Sequence, residues 1–258
     1  MPYETHATTI ADQFTRQAEI FAATPALHNE QALAILVNAA QPQPDDRSLD
    51  VACGPGSVVA AFALRVRYSV GLDATEAMLE QARQLAAAQN LGNTEWIRGD
   101  VYNLPFDDGA FDIVSCRFAF HHFEAPERAF AEMLRVCRTG GRIVLCDAVA
   151  SDDADKARAF NHMEKHRDPS TVEFRTLDAL KRYFTTAGMP VPTAQFYKVA
   201  AERERLIAMS FPVDDNRETL RKIIDESVEN DKMGVEASRR GDTVLFAYPS
   251  VILAAMKP

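Results

Sequence analysis

Between residues 48 and 146 the chain alternates short apolar runs with amphipathic stretches. Ser48–Ala52, Tyr68–Leu72, Glu95–Arg98, Phe111–Cys116 and Arg142–Cys146 read as strands. Helical spacing between them predicts helices over Ser57–Val66, Thr75–Asn90 and Pro126–Cys137. In the second of these Met78, Leu79, Ala82 and Leu85 share one face and Thr75 is placed to cap it; Gly140-Gly141 is placed to close the third. Strands alternating with helices call for right-handed crossovers and a parallel sheet covered on both faces. After Asp147 the pattern changes. Helices are predicted over Asp153–Lys165, Leu177–Ala187 and Asp214–Asn230, and strands over Ala194–Val199 and Thr243–Ala255. The last two strands suit an antiparallel hairpin with an insertion between its arms. At the other end, helices are predicted over Ile10–Ala23 and Glu30–Ala40, before Gln41-Pro42-Gln43-Pro44 breaks the pattern. The expected fold is α/β: a doubly wound, mostly parallel seven-stranded sheet with an antiparallel last strand and helices on both faces. Residues 1–44 are expected to form an N-terminal helical lid. Residues 45–258 are the main domain, with helical insertions after about 150 and 200.

Composition changes this picture little. The 258 residues are 47% hydrophobic and 25% charged, as an ordinary globule requires. A net charge of −9 with no visible basic face argues against a nucleic-acid partner. No apolar stretch is long enough for a membrane span, and the N-terminal segment has no basic-then-apolar signal pattern. Cys53, Cys116, Cys137 and Cys146 form no C-x-x-C pair, and three lie in apolar runs. That usage fits reduced, buried thiols in a cytoplasmic protein.

Candidate chemistry begins at Asp50-Val51-Ala52-Cys53-Gly54-Pro55-Gly56, where the first strand meets the first crossover helix. Glycines there let the backbone turn sharply and approach a ligand closely, although a G-x-G alone is equally a tight strand–helix turn. Asp73 ends the second strand, 17 residues beyond Gly56, where a carboxylate can accept both hydroxyls of a ribose. Asp100 ends the third strand, in position for the exocyclic amine of an adenine. All three fall at carboxyl ends of parallel strands, where open α/β sheets bind ligands. A dinucleotide fingerprint needs a third glycine where this chain has Val59. Asp50, just before the turn, repels a phosphate and suits an ammonium group. The ligand expected is therefore an adenosine joined to an amino acid without phosphate, which describes S-adenosyl-L-methionine (SAM).

Leu49–Gly56 resembles the first motif of the Rossmann-like (class I) SAM-dependent methyltransferases, and Gly71–Leu79 and Gly99–Phe106 resemble the second and third. Phe111-Asp112-Ile113-Val114 and Arg135–Arg142 resemble the fourth and fifth. The resemblance is close over residues 47–147 and nearest to the ubiquinone/menaquinone-biosynthesis-like branch, which acts on small molecules. Ala52 departs from it, since many members carry glycine there. The resemblance implies that Asp50, Ala52, Gly54 and Gly56 surround the methionine part of SAM, and that Asp73 binds the ribose. It implies that Ala74 and Met78 pack on the adenine, that Asp100 and the Val101 backbone read its edge, and that Arg117 or Phe118 lies near the sulfonium. Phe21 and Arg16 are implied lid contacts. The implied product is S-adenosyl-L-homocysteine.

Arg117-Phe118-Ala119-Phe120-His121-His122-Phe123 follows the fourth strand, on the side where a methyl acceptor would sit. Aromatic rings favour a cationic sulfonium and exclude water. His122 or His121 could serve as a general base, although a His-His pair at such a junction also serves simply to orient a loop. His162 and His166 share a helical face, but Lys165 and Arg167 beside them disfavour a metal, so none is expected; either could instead touch the acceptor. Cys53 and Cys146 read as packing, as do Phe123, Phe130, Met133 and Leu134. The reaction expected is an in-line transfer of methyl to a C, N or O nucleophile of a small-molecule acceptor, in a cytoplasmic enzyme whose homodimerisation stays open. Two alternatives remain: a SAM-binding protein of this fold that catalyses a rearrangement, and a nicotinamide-dependent reductase.

Overall fold

A computed structural model of the chain describes residues 5–24 and 29–258. The five apolar runs of the first half become parallel strands β1 (Arg47–Val51), β2 (Tyr68–Asp73), β3 (Thr94–Arg98), β4 (Phe111–Arg117) and β5 (Cys137–Ala148). The second half adds β6 (Thr193–Glu202), β7 (Ser238–Arg240) and β8 (Thr243–Met256). Strand order is β3-β2-β1-β4-β5-β8-β6, and along this seven-strand path β8 alone runs against the rest. The three-residue β7 is an eighth strand, off the path, paired with β8. Its sequence, Ser-Arg-Arg, carries no apolar alternation, so only its pairing reveals it.

Helices α1 (His6–Ala22) and α2 (Glu30–Ala39) precede the sheet. The crossovers hold α3 (Ser57–Ala63), α4 (Glu76–Ala88) and α5 (Pro126–Val136). Then come α6 (Ala154–Arg167), α7 (Leu177–Thr186), α8 (Arg203–Ala208) and α9 (Arg217–Ser227). Successive strand residues point to opposite faces, and the core divides accordingly. Ile113, Val144 and Ile252 pack with α2 and α3 through Leu36, Val37, Val58 and Phe62. Their neighbours Val114, Ile143, Leu145, Val251 and Leu253 pack with α5 and α7 through Phe130, Met133, Leu180 and Phe184. A smaller cluster joins α6, α8, α9 and β8 around Phe160, Leu206, Leu220 and Phe246. The first two helices thus part company: α2 joins the sheet core, while α1 lies over the carboxyl ends of the strands. Residues 1–4 and 25–28 of the expected 1–44 unit lie outside the described residues.

Two local expectations change. Gly140-Gly141 does not cap α5; the helix ends at Val136, Cys137 turns directly into β5, and Gly140, at φ +72°, bends that strand. Thr75 occupies the cap position of α4, but its side chain makes no capping bond; its backbone N–H instead donates to Asp73 Oδ1 at 2.9 Å.

Candidate active site

The sheet order reverses between β1 and β4, so their carboxyl ends diverge and leave a crevice at the switch point. The chain leaves β1 through a turn with three left-handed residues, Ala52 (φ +55°), Gly54 (φ +52°) and Gly56 (φ +85°). The two glycines serve different ends. A Cβ on Gly54 would meet nothing within 4 Å, so that position is open to the crevice. A Cβ on Gly56 would lie 2.6 Å from Trp96 and 2.8 Å from the Ala82 Cβ. Gly56 therefore lets α3 pack against α4 and β3. Gly56→Ala should destabilise by about 3 kcal/mol through overpacking and the strained φ, read as a fall in the urea midpoint. Ala52 is an L-residue where the left-handed region costs about 1–2 kcal/mol. Ala52→Gly should relieve that strain at a comparable unfolded-state entropy cost, leaving stability within about 1 kcal/mol of the parent. Ala52→Val, branched at a positive φ, should lower the melting temperature clearly.

Asp73 ties the turn to the next crossover. Its Oδ2 accepts the Gly54 N–H at 2.9 Å while Oδ1 holds Thr75. Burial raises its carboxyl above the usual range, against the pull of those backbone donors. Asp50, 2% exposed, accepts the Ser115 hydroxyl at 2.7 Å. Burial pushes its carboxyl up from 3.8 to about 7, with Ser115 and Arg117 opposing and Asp73 adding. Asp50 and Asp73 thus face one crevice as two carboxylates held in a dry setting.

That crevice encloses about 230 Å³. Asp50, Ala52, Gly54, Asp73, Ala74 and Met78 line it from β1, β2 and α4. Asp100, Val101, Arg117 and Phe118 line it from the ends of β3 and β4, with His122 beyond them. Gly56 does not reach it. Helix α1 supplies a wall that sequence reasoning named only through Phe21: His6, Ala7, Ile10 and Phe14 also face the crevice. The other expected lid contact, Arg16, stays outside, paired with Asp12 at 3.2 Å and lying over the Phe211 ring. Cys53 faces the crevice, but burial pushes its thiol far up, so it packs and does not attack. Phe118, at φ +53°, holds its ring beneath the Arg117 guanidinium, 4.6 Å from the ring centre.

A second cavity of about 370 Å³ adjoins the first, and Phe21, Phe118 and His122 line both. His121 faces only the second. Its Nδ1 lies 2.8 Å from Asp147 Oδ1, and the pair is buried. The His122 Nδ1 donates to the Ser170 carbonyl at 3.0 Å, and burial with His121 alongside pushes its pKa down to about 3, so its ring is neutral. Its carbonyl receives the His6 ring at 2.7 Å. The second cavity also contains Glu164, Arg167, Asp168 and Tyr248, all missed from sequence because they read as a solvated helix face and a position inside the last strand. Glu164 is fully buried, accepting the Tyr248 hydroxyl at 2.7 Å and pairing Arg167 at 2.8 Å. His162 is exposed and His166 bonds the Asn216 carbonyl at 3.2 Å; neither lines a cavity. Among the described residues no group of three His, Cys, Asp or Glu side chains could hold a metal, and no helix is long and apolar enough to cross a membrane.

Residues 49–145 match the family described as "Methyltransferase domain". The chain is 26% identical to the uncharacterized methyltransferase YcgJ of Bacillus subtilis over 95% of its own length and 97% of that protein's. The solved YcgJ structure superimposes with a TM-score of 0.80 over 89% of this chain and 99% of that one. A putative methyltransferase from Bacillus halodurans, 28% identical, gives the same TM-score over 88% and 98%. A demethylmenaquinone methyltransferase of Clavibacter sepedonicus is 38% identical over 55% of this chain and 57% of its own. Five motifs in register, the crevice at the switch point and these likenesses agree: residues 49–145 are a methyltransferase domain, and the chain is similar over most of its length to Rossmann-like methyltransferases, whose cofactor is SAM.

Proposed function

We propose that the chain moves the methyl group of SAM, seated in the first cavity, to a small-molecule acceptor held in the second. The observation that carries this reading is that the two cavities share a wall made of Phe21, Phe118 and His122. Asp50 takes the ammonium of the methionine part, beside Ala52 and the Gly54 backbone. Asp73 takes the ribose hydroxyls. Ala74 and Met78 cover the adenine, and Asp100 with the Val101 N–H reads its edge. The sulfonium then lies toward Phe118 and Arg117. Aromatic faces suit a cation there, and a neutral His122 adds no second positive charge to that of Arg117.

The donor is already activated, so the protein's main task is alignment and exclusion of water. Alignment of this kind can supply on the order of 7–11 kcal/mol in good cases. Helix α1 acts as the lid: Ile10 and Phe14 close the first cavity, Gln17 bonds Asp168 at 3.1 Å beside the second, and SAM exchange requires the helix to lift. His122 and His121 are the acceptor-side groups. The enzyme is read as cytoplasmic. Calorimetric titration with SAM, followed by release of S-adenosyl-L-homocysteine in the presence of candidate acceptors, tests the reading. Saturable NAD binding without SAM binding would overturn it, and so would a labelled methyl group that never leaves the donor.

A further inference from the structure

The His121–Asp147 pair has no part in seating SAM, yet it is among the most completely built polar groups in the chain. The Asp147 carboxylate, at the end of β5, accepts the His121 ring at 2.8 Å, the His121 backbone N–H at 3.0 Å and the Ala148 N–H at 2.8 Å. A carboxylate can only accept, so Nδ1 carries a proton, and in the neutral ring the lone pair is on Nε2. The ring is clamped between Phe174, stacked at 3.9 Å, and His122 at 4.1 Å. Among the described residues Nε2 has no hydrogen-bond partner. His121 lines the 370 Å³ cavity, so an acceptor nitrogen that a core residue would satisfy is left for a guest.

The rest of that cavity indicates what the guest is. Phe118, Phe174, Val199, Leu206 and Leu245 give it apolar walls, and Glu202 and Arg205 also line it. The buried charges facing it are compensated: Glu164 by Arg167 and Tyr248, Asp168 by Gln17 and Ser170. Its volume is at the low end of the roughly 300–1,000 Å³ of small-molecule sites.

We infer that the second cavity takes a compact, largely apolar molecule bearing a weakly acidic hydroxyl, a phenol or an enol, and that His121, held by Asp147, removes its proton. This rests on the first cavity being the SAM seat. The hydroxyl donates to Nε2, beside the His122 ring that forms part of the shared wall. As the oxygen lone pair bonds the methyl carbon, the carbon–sulfur bond breaks and its electrons go to sulfur, giving neutral S-adenosyl-L-homocysteine. The proton passes to Nε2, the imidazolium faces Asp147, and water later carries the proton away. The methyl ether is the product. His121 is the catalytic base and Asp147 the positioning residue; His122, neutral and bound to a carbonyl, is the poorer base.

The probe is 4-nitrophenol, whose phenolate absorbs in the visible and whose neutral form does not. It is titrated into the full chain saturated with S-adenosyl-L-homocysteine, at a pH where the free probe is mostly neutral. The titratable groups facing the cavity are His121, His122, Glu164, Arg167, Asp168, Glu202, Arg205 and Tyr248, with Asp147 on the His121 ring and Arg175 on the Phe120 carbonyl. The expected result is saturable binding with at least about a tenfold rise in phenolate fraction, a shift of one pH unit. His121→Gln abolishes that rise, Asp147→Asn reduces it, and Leu245→Trp fills the cavity and blocks the probe while SAM affinity holds. No saturable binding to the parent, binding only as neutral phenol, or the same phenolate band in His121→Gln overturns the inference. The parent spectrum decides even where a variant misfolds. SAM calorimetry on the same preparation separates failure of the donor seat from failure of the base.

Discussion

Replacing Asp73 with alanine is expected to weaken SAM binding about 100-fold, roughly 2.7 kcal/mol, and to lower the melting temperature by a few degrees. The carboxylate is the last residue of β2 and lines the first cavity. A ribose offers it two hydroxyls, and a hydrogen bond to a charged acceptor contributes about 1.5–3 kcal/mol. Water entering the truncated site recovers part of that, which sets the loss nearer one bond than two. The stability effect has opposing parts. Two backbone donors, Gly54 and Thr75, lose their acceptor, and a dry unpaired donor costs about 1–3 kcal/mol. Against this, the crevice admits water, and the burial that raises the Asp73 carboxyl is itself unfavourable to the ion. The net is expected at about 1–2 kcal/mol, or a few degrees for a chain of this size. Asp73→Asn, which keeps one acceptor oxygen, should fall between parent and alanine in both measurements. Unchanged calorimetric affinity in Asp73→Ala would take the ribose away from this residue.

Asp73 could be found in the sequence because its position depends on backbone periodicity alone. A strand of alternating burial ends, a helix begins, and the residue at the junction faces the crevice. The same holds for Gly54 and Asp100, and for Asp50 one residue before the end of its strand, and it explains why this side of the crevice lining was legible in the sequence. What escaped depends on side chains that meet across distant segments. His121 and Asp147 are 26 residues apart in the chain, and nothing in either segment announces the other. Glu164 sits in a helix so polar that Phe160 and Met163 alone mark its inner face, and a fully buried carboxylate there is visible only once Tyr248 arrives from β8. Gly56 looked like a ligand contact because it belongs to the glycine turn; the Trp96 ring against it shows that packing is reason enough for its lack of a side chain. At Ala52 the family's glycine answers to a left-handed backbone, and this chain bears the strain instead.

Affinity for SAM is expected to climb with pH up to about 7 and to level off above it, while Asp50 withdraws stability from the unliganded chain across the same interval. Both follow from Asp50. Its folded pKa is raised, chiefly by burial, from 3.8 to about 7. A group raised in this way favours the folded state most when protonated. Its contribution is complete below the unfolded value near 3.8 and is lost as pH rises through about 7. The gap corresponds to roughly 4 kcal/mol as an order of magnitude. Asp73 is raised too, chiefly by burial, and acts in the same sense. His122 acts in the opposite sense: neutral in the folded chain above about 3 but protonated in the unfolded chain below 6.5, it adds stability as pH rises toward 6.5 and offsets part of the Asp50 loss. The ammonium of SAM reverses the preference of Asp50, since an adjacent cation stabilises the carboxylate. Binding at about pH 6 must then expel a proton, and affinity should fall about tenfold for each pH unit below 7 until the liganded pKa is reached. Titrations in two buffers of different ionisation enthalpy measure that proton directly. Asp50→Asn should flatten the pH profile of binding, weaken SAM at about pH 8 by 10- to 100-fold, and raise the melting temperature of the unliganded chain at that pH, because a buried charge has gone. A profile as steep in Asp50→Asn as in the parent would move the ammonium partner to another group.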